Sequence, residues 1–217
     1  VSKTMTLKLV GSSSGHTSID APASAGSNTL VLPANNGTAG QVLRNSSTPG
    51  TLEFGGLGGG ITHYSSWRVH TALSSGSGLR QLDANWEASD DTNQGSIGAA
   101  MTQSSGVFTF PAPGIWEVVL RTYAYATTEV RWFDSAILSS SNSGGAWYIH
   151  GYAVGNLFDF SGSDASAANI WNSVILDIQD ASTYRVKFTV DSAANCIYYG
   201  NGGYNSIAAY FKRVGDT

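Results

Sequence analysis

One cysteine in 217 residues, Cys196, leaves no partner for an intrachain disulfide and too few thiols for a four-cysteine zinc site. Proline is scarce at 5 residues, which excludes a collagen-like rod or a proline-rich linker even though glycine reaches 26. Charged residues make up only 12% of the chain, about half the roughly 25% of an ordinary domain. The deficit does not signal disorder, because 41% of residues are hydrophobic and 11% aromatic, whereas disordered chains are charge-rich and poor in aromatics. The net charge of −4 leaves no basic field to gather phosphates, so nucleic acid is not the expected partner. Apolar runs are short. Ile207 to Phe211 falls far below the roughly 20 residues of a bilayer-spanning helix, so no membrane insertion is expected. Lys3 and Lys8 bracket no apolar run, and the first residues do not read as a secretory signal.

What is present is turn-dense and β-like, and it changes near residue 55. Before that point come short alternating runs: Thr6 to Leu9, Thr17 to Asp20, Thr29 to Pro33, Gln41 to Arg44 and Thr51 to Phe54. Their period of two predicts strands with one apolar face. Each run offers two or three apolar side chains, too few to close a core within one chain. Three copies wound about one axis would share a narrow core, so residues 1–54 are expected to form a short-strand trimeric stalk. Gly55 to Gly60, five glycines in six residues, is expected to be a joint.

All six Trp and all ten Tyr lie beyond that joint. Strands are predicted at Tyr64 to Val69, Gly106 to Phe110, Ile115 to Tyr125, Glu129 to Leu138, Ala146 to Val154, Ile170 to Ile178, Tyr184 to Val190 and Ile207 to Val214. No helical periodicity is sustained, so 61–217 is expected to be an all-β sandwich head of the jelly-roll kind. Runs such as Ile115 to Leu120 and Val174 to Leu176 are apolar on both faces, a surplus that oligomerisation would bury.

Specific wording now matters. Gly106-Val107-Phe108-Thr109-Phe110-Pro111-Ala112-Pro113-Gly114-Ile115-Trp116-Glu117-Val118 resembles the strand–turn–strand signature of the complement globular-head and tumour necrosis factor jelly-roll superfamily. Ser173 to Lys187 looks like that superfamily's penultimate hairpin, with Ala181-Ser182 in place of the usual Gly-Asp, and Ser206 to Val214 is similar to its final strand. The resemblance covers about residues 105–217 and implies a homotrimer. A second likeness lies upstream. Asp20 to Pro33, followed by Asn36 to Leu43 and Leu52-Glu53-Phe54, resembles a repeat of tailed-bacteriophage fibre proteins. The two together imply a virion fibre, on tail or head, that attaches to other virion proteins through residues 1–54 and binds a host receptor. A structural head fibre or capsid decoration protein is the alternative, and a glycan depolymerase a minor one.

Catalytic constellations are weak, and no enzyme is expected. His16, His63, His70 and His150 are widely separated, without the converging spacing of a metal site. Cys196 beside Ile197-Tyr198-Tyr199 reads as a buried thiol, and no nucleophile-elbow motif joins a strand to a helix. Acids cluster at Glu87, Asp90 and Asp91 and around Asp159 and Asp164; neighbours such as Asp90-Asp91 would point oppositely in a strand, which disfavours acid–base work. Heads of the resembled superfamily often hold Ca²⁺, and Asp90, Asp91 and Asn93 offer oxygens at short spacing, with a solvated turn as the competing reading. The most telling pattern is aromatics among glycines. Trp147, Tyr148, His150 and Tyr152 in one segment, and Asn201, Tyr204 and Asn205 in another, offer ring faces and hydrogen-bonding groups suited to a bacterial surface glycan or protein receptor. Core or inter-subunit packing is the competing reading for each ring.

Overall fold

The computed structural model describes residues 6–20, 22, 24, 26–56, 60–91, 93–158 and 164–217, and the chain divides into two compact units, 1–58 and 59–217. In the first unit, β1 (Leu7–Val10) pairs with β2 (His16–Ile19), and β3 (Gln41–Asn45) with β4 (Leu52–Gly56), both antiparallel. Turns close on glycines with positive φ, Gly15 at 74° and Gly50 at 82°, a region that costs other residues strain. The run expected at Thr29 to Pro33 forms only a single bridge, Val31 to Thr51. Gly55 and Gly56, read from sequence as the start of a joint, instead extend β4 opposite Val42 and Gln41. Their lack of a side chain has a local use, since a Cβ on Gly55 would collide with the Arg44 guanidinium. Leu57, Gly58 and Gly59 lie outside the described residues. As the count of apolar residues implied, Leu7, Leu9, Ile19, Leu30 and Leu32 all stay exposed in one chain.

The second unit is an all-β jelly-roll sandwich. In chain order its strands are β5 (Tyr64–Val69), β6 (Arg80–Gln81), β7 (Trp86–Ala88), β8 (Thr102–Ser104), β9 (Val107–Thr109), β10 (Gly114–Ala126), β11 (Val130–Ser140), β12 (Tyr148–Leu157), β13 (Ser166–Ile178), β14 (Arg185–Ser192), β15 (Ile197–Tyr198) and β16 (Ala208–Gly215). One sheet has the order β13-β10-β16-β5-β7, with β15 taking over beside β10 where β16 stops; the other has the order β12-β11-β14-β9-β8, with β6 beside β14. Every strand expected from sequence in this unit is present. The structure adds β6, β7, β8 and β15, each of two or three residues.

Alternation sets the core. Along β10, Trp116, Val118, Leu120 and Ala124 are buried against the opposite sheet, while Glu117, Val119, Arg121, Tyr123 and Tyr125 are half-buried on the outer face. The expected turn at Pro113-Gly114 is present: Gly114 has φ of 138°, and a Cβ there would strike Arg213. In the hairpin before β14, Asp180 compensates for the missing glycine, its Oδ1 accepting from Ser182 N at 2.8 Å and Ser182 Oγ at 2.6 Å. Cys196 is buried, as expected.

Candidate functional site

The outer face of the β10 sheet is shaped by register. Arg121 on β10 stands between Trp171 on β13 and Ala208 on β16, and one pair further along β10 Tyr123 lies opposite Asn169. Beyond the end of β16 the chain of 198–206 folds over this face. Tyr199 N donates to Tyr123 O at 2.9 Å, and the Tyr199 ring stands edge-on to Tyr123 (centroids 5.8 Å apart) and to Tyr125 (5.9 Å). Gly200 is required at the bend, since a Cβ would lie 2.5 Å from the carbonyl oxygens of both Val69 and Thr71. Tyr204 comes back over Tyr199 with centroids 6.4 Å apart.

These residues enclose a cavity of about 190 Å³ lined by Arg121, Tyr123, Asn169, Tyr199, Tyr204 and Ser206. A second concavity of about 340 Å³ shares Tyr123, Tyr199 and Tyr204 and continues past Tyr125. The hydroxyl of Tyr204 bonds that of Tyr199, which also accepts from Asn201 Nδ2 at 3.2 Å. Donation from Tyr204, then from Asn201, holds the Tyr199 phenol below its usual pKa, and the same bond to Tyr199 raises that of Tyr204.

Of the residues expected to read a receptor, only Tyr204 lines this cavity, and it remains 55% exposed. Asn201 serves the loop itself: its Oδ1 accepts from Gly203 N at 2.7 Å while its Nδ2 holds Tyr199. Asn205 accepts from Ser89 Oγ at 3.3 Å and lines a different concavity with Tyr64 and Asn93. Trp147, Tyr148, His150 and Tyr152 lie at or on β12, the edge strand of the other sheet. Tyr148 and Tyr152 are exposed, and Lys187 Nζ sits 4.4 Å from the Trp147 ring centre. Arg121, Tyr123 and Asn169 were not singled out from sequence. The spacing of Arg121, Tyr123 and Tyr125 puts all three on one face of a strand but does not say which loop covers that face.

The acidic cluster is put to another use than the one expected. Arg68, on β5 and 3% exposed, donates from Nε to Glu87 at 2.7 Å, from Nη2 to Asp90 at 2.6 Å and from Nη1 to Asp91. Asp90 and Asp91 follow β7 instead of lying in a strand, so both reach the same guanidinium and do not point oppositely. Their oxygens offset a buried cation, a use that competes with calcium for the same carboxylates; Asn93 sits in the adjoining loop with φ of 73°. Among the described residues, no group of three His, Cys, Asp or Glu is placed to hold a metal. Asp159 lies outside the described residues.

A different acid is perturbed on the other sheet. Asp134 on β11 is buried and accepts from Tyr152 Oη at 2.6 Å, with Asp191 opposite it across the ladder. Burial lifts the Asp134 pKa above the ordinary 3.8, outweighing the Tyr152 bond; donation to this carboxylate pushes Tyr152 up to about 12. An acid whose pKa is raised by folding costs no stability below its unfolded pKa; the cost grows as pH rises, because the unfolded chain gives up the proton first. Asp134→Asn keeps an acceptor for Tyr152 and is therefore expected to raise the melting temperature at pH 7 by about 2–4 °C, with the gain vanishing near pH 3.5. Thermal melts of both proteins at the two pH values check this; a gain equal at both would refute it.

The sandwich with this strand order belongs to the jelly-roll class found in tumour necrosis factors. A solved structure, Eiger TNF from S. frugiperda, superposes with a TM-score of 0.51 at 10% sequence identity, covering 71% of this chain and 93% of that one. At that identity the likeness establishes the fold alone. No known family matches the sequence, and no curated protein matches it.

Proposed function

We propose that the chain is a homotrimeric fibre protein of a tailed-bacteriophage virion, on tail or head, whose second unit is an adhesion module for a bacterial surface glycan. The observation that carries the reading is the tyrosine-walled cavity beneath Tyr204. Sugar rings present C–H faces that stack on aromatic rings and hydroxyls that pair with amides and guanidinium groups, and this cavity offers both. Its place in the unit fits that role. The chain comes in at Tyr64, beside Lys212 and Glu117, whereas Arg121 and Tyr123 of the cavity lie four and six residues further along β10, roughly 13–20 Å away at about 3.3 Å per residue. The cavity thus lies away from the end of β5 at which the chain enters this sheet.

The trimer is supported by the other half of the same face. Val119, Ile175, Trp171 and Tyr210 form an apolar stretch, with Trp171 and Ile175 more than half exposed and Trp171 stacked on Tyr210 at 4°. In the first unit the exposed leucines make the same demand for partners. The fibre-like wording of residues 20–54 supports virion attachment through that unit.

Sedimentation of the full chain is expected to give about three times 22.7 kDa, and labelled protein is expected to bind some strains of a bacterial panel and not others. A mass near 23 kDa would overturn the trimer. A trimer that binds no strain would overturn adhesion in favour of a structural head fibre or decoration protein, and release of reducing sugar from a bound strain would reassign the module as a depolymerase.

A further inference from the structure

Arg121 is one of the cations of the second unit that pair with no carboxylate among the described residues. Arg68, Lys212 and Arg213 each hold a carboxylate, and Arg80 and Arg185 donate to backbone carbonyl oxygens, whereas the hydrogen bonds of Arg121 go to a single side-chain amide. Its guanidinium lies over the Trp171 ring, 5.4 Å from the centre, and gives Nε and Nη2 to one acceptor, Asn169 Oδ1, both at 3.3 Å. Three of its five N–H groups are left without an acceptor among the described residues. A second group lining the same cavity is also unsatisfied: Ser206 is 4% exposed, and its hydroxyl has no hydrogen-bond partner among the described residues. A buried polar group without a partner carries a desolvation cost that a ligand can relieve.

We infer that the cavity takes an acidic sugar, its carboxylate on Arg121, a hydroxyl on Ser206 and its C–H face on the tyrosines. This rests on the adhesion reading above and names the substrate class. A guanidinium fork suits a carboxylate, with which it forms charge-assisted hydrogen bonds, and a neutral sugar would leave the cation uncompensated. The adjoining concavity, sharing Tyr123, Tyr199 and Tyr204, gives room for the next unit of a chain. Together the two cavities fall in the roughly 300–1,000 Å³ range of small-molecule sites.

The test uses the full chain, titrated with trigalacturonate and with its methyl ester by ligand-observed saturation-transfer NMR. The acid is expected to bind at about 1 mM and the ester about tenfold more weakly. Arg121→Gln is expected to abolish that preference, Arg121→Lys to keep part of it, and Tyr204→Ala to lose both ligands, each with the sedimentation mass unchanged. Equal binding of acid and ester, or a preference surviving in Arg121→Gln, overturns the inference. So does a fall in mass on replacing Arg121 or Tyr204, which would make the cavity a contact between copies. If the protein adheres to cells but takes neither probe, the acidic-sugar inference fails and adhesion stands; if it binds neither cells nor probes, both fail.

Discussion

Phe108→Ala is expected to be among the most damaging single substitutions in the second unit, lowering stability by about 4 kcal/mol. β9 has only three residues, yet its central ring is the hub of an aromatic cluster spanning both sheets. It meets Trp67 (5.5 Å), Trp86 (5.2 Å) and Phe211 (5.0 Å) from one sheet and Phe188 (5.6 Å) from its own. Truncation removes a fully buried ring and leaves a void that four large, mutually braced neighbours cannot refill. At about 2–4 °C per kcal/mol for a domain of this size, the melting temperature should fall by about 8–16 °C. A loss below about 1 kcal/mol by denaturant titration would show that the cluster collapses around the gap.

Arg68→Met should rank close behind, for an electrostatic reason. The methionine fills much of the volume but strands Glu87, Asp90 and Asp91 side by side with no cation. Removing one partner from a buried ion-pair network commonly costs 3–5 kcal/mol; Glu87 and Asp91 keep 35% and 34% of their exposure, so about 3 kcal/mol is expected. The triple variant Arg68→Met, Glu87→Gln, Asp91→Asn should recover most of that loss, because it removes the repulsion along with the cation. If the triple variant is as unstable as the single one, the guanidinium acts through packing and not through charge.

The two predictions show where sequence reading succeeded and where it stopped. β10 was legible because Pro113-Gly114 marks its start and alternation runs unbroken through thirteen residues. β6, β7, β8 and β15 were not, since two or three residues carry no measurable period and these strands are held by partners distant in sequence, such as Thr189 for Gln81. The same distance hid the fate of the acids: Arg68 lies more than 20 residues before Asp90 and Asp91, and nothing local to any of the three announces the pairing. Tyr204 was legible as a ring held among glycines. Its neighbours Arg121 and Asn169 were not, because they come from two long strands whose register only the folded sheet fixes. Asn201 looked like a free amide, but a short bend needs its own hydrogen bonds satisfied first.

β16, the last strand described, lies in the middle of its sheet, between β10 and β5. On the ribosome this strand is made after every element it joins. Until it emerges, β5 and β10 have no bond to one another, and two raw strand edges stand open in the nascent chain. The sandwich therefore has no stable truncated form on the way to completion. Its closing waits for β16, the strand that joins β5 to β10 in one layer.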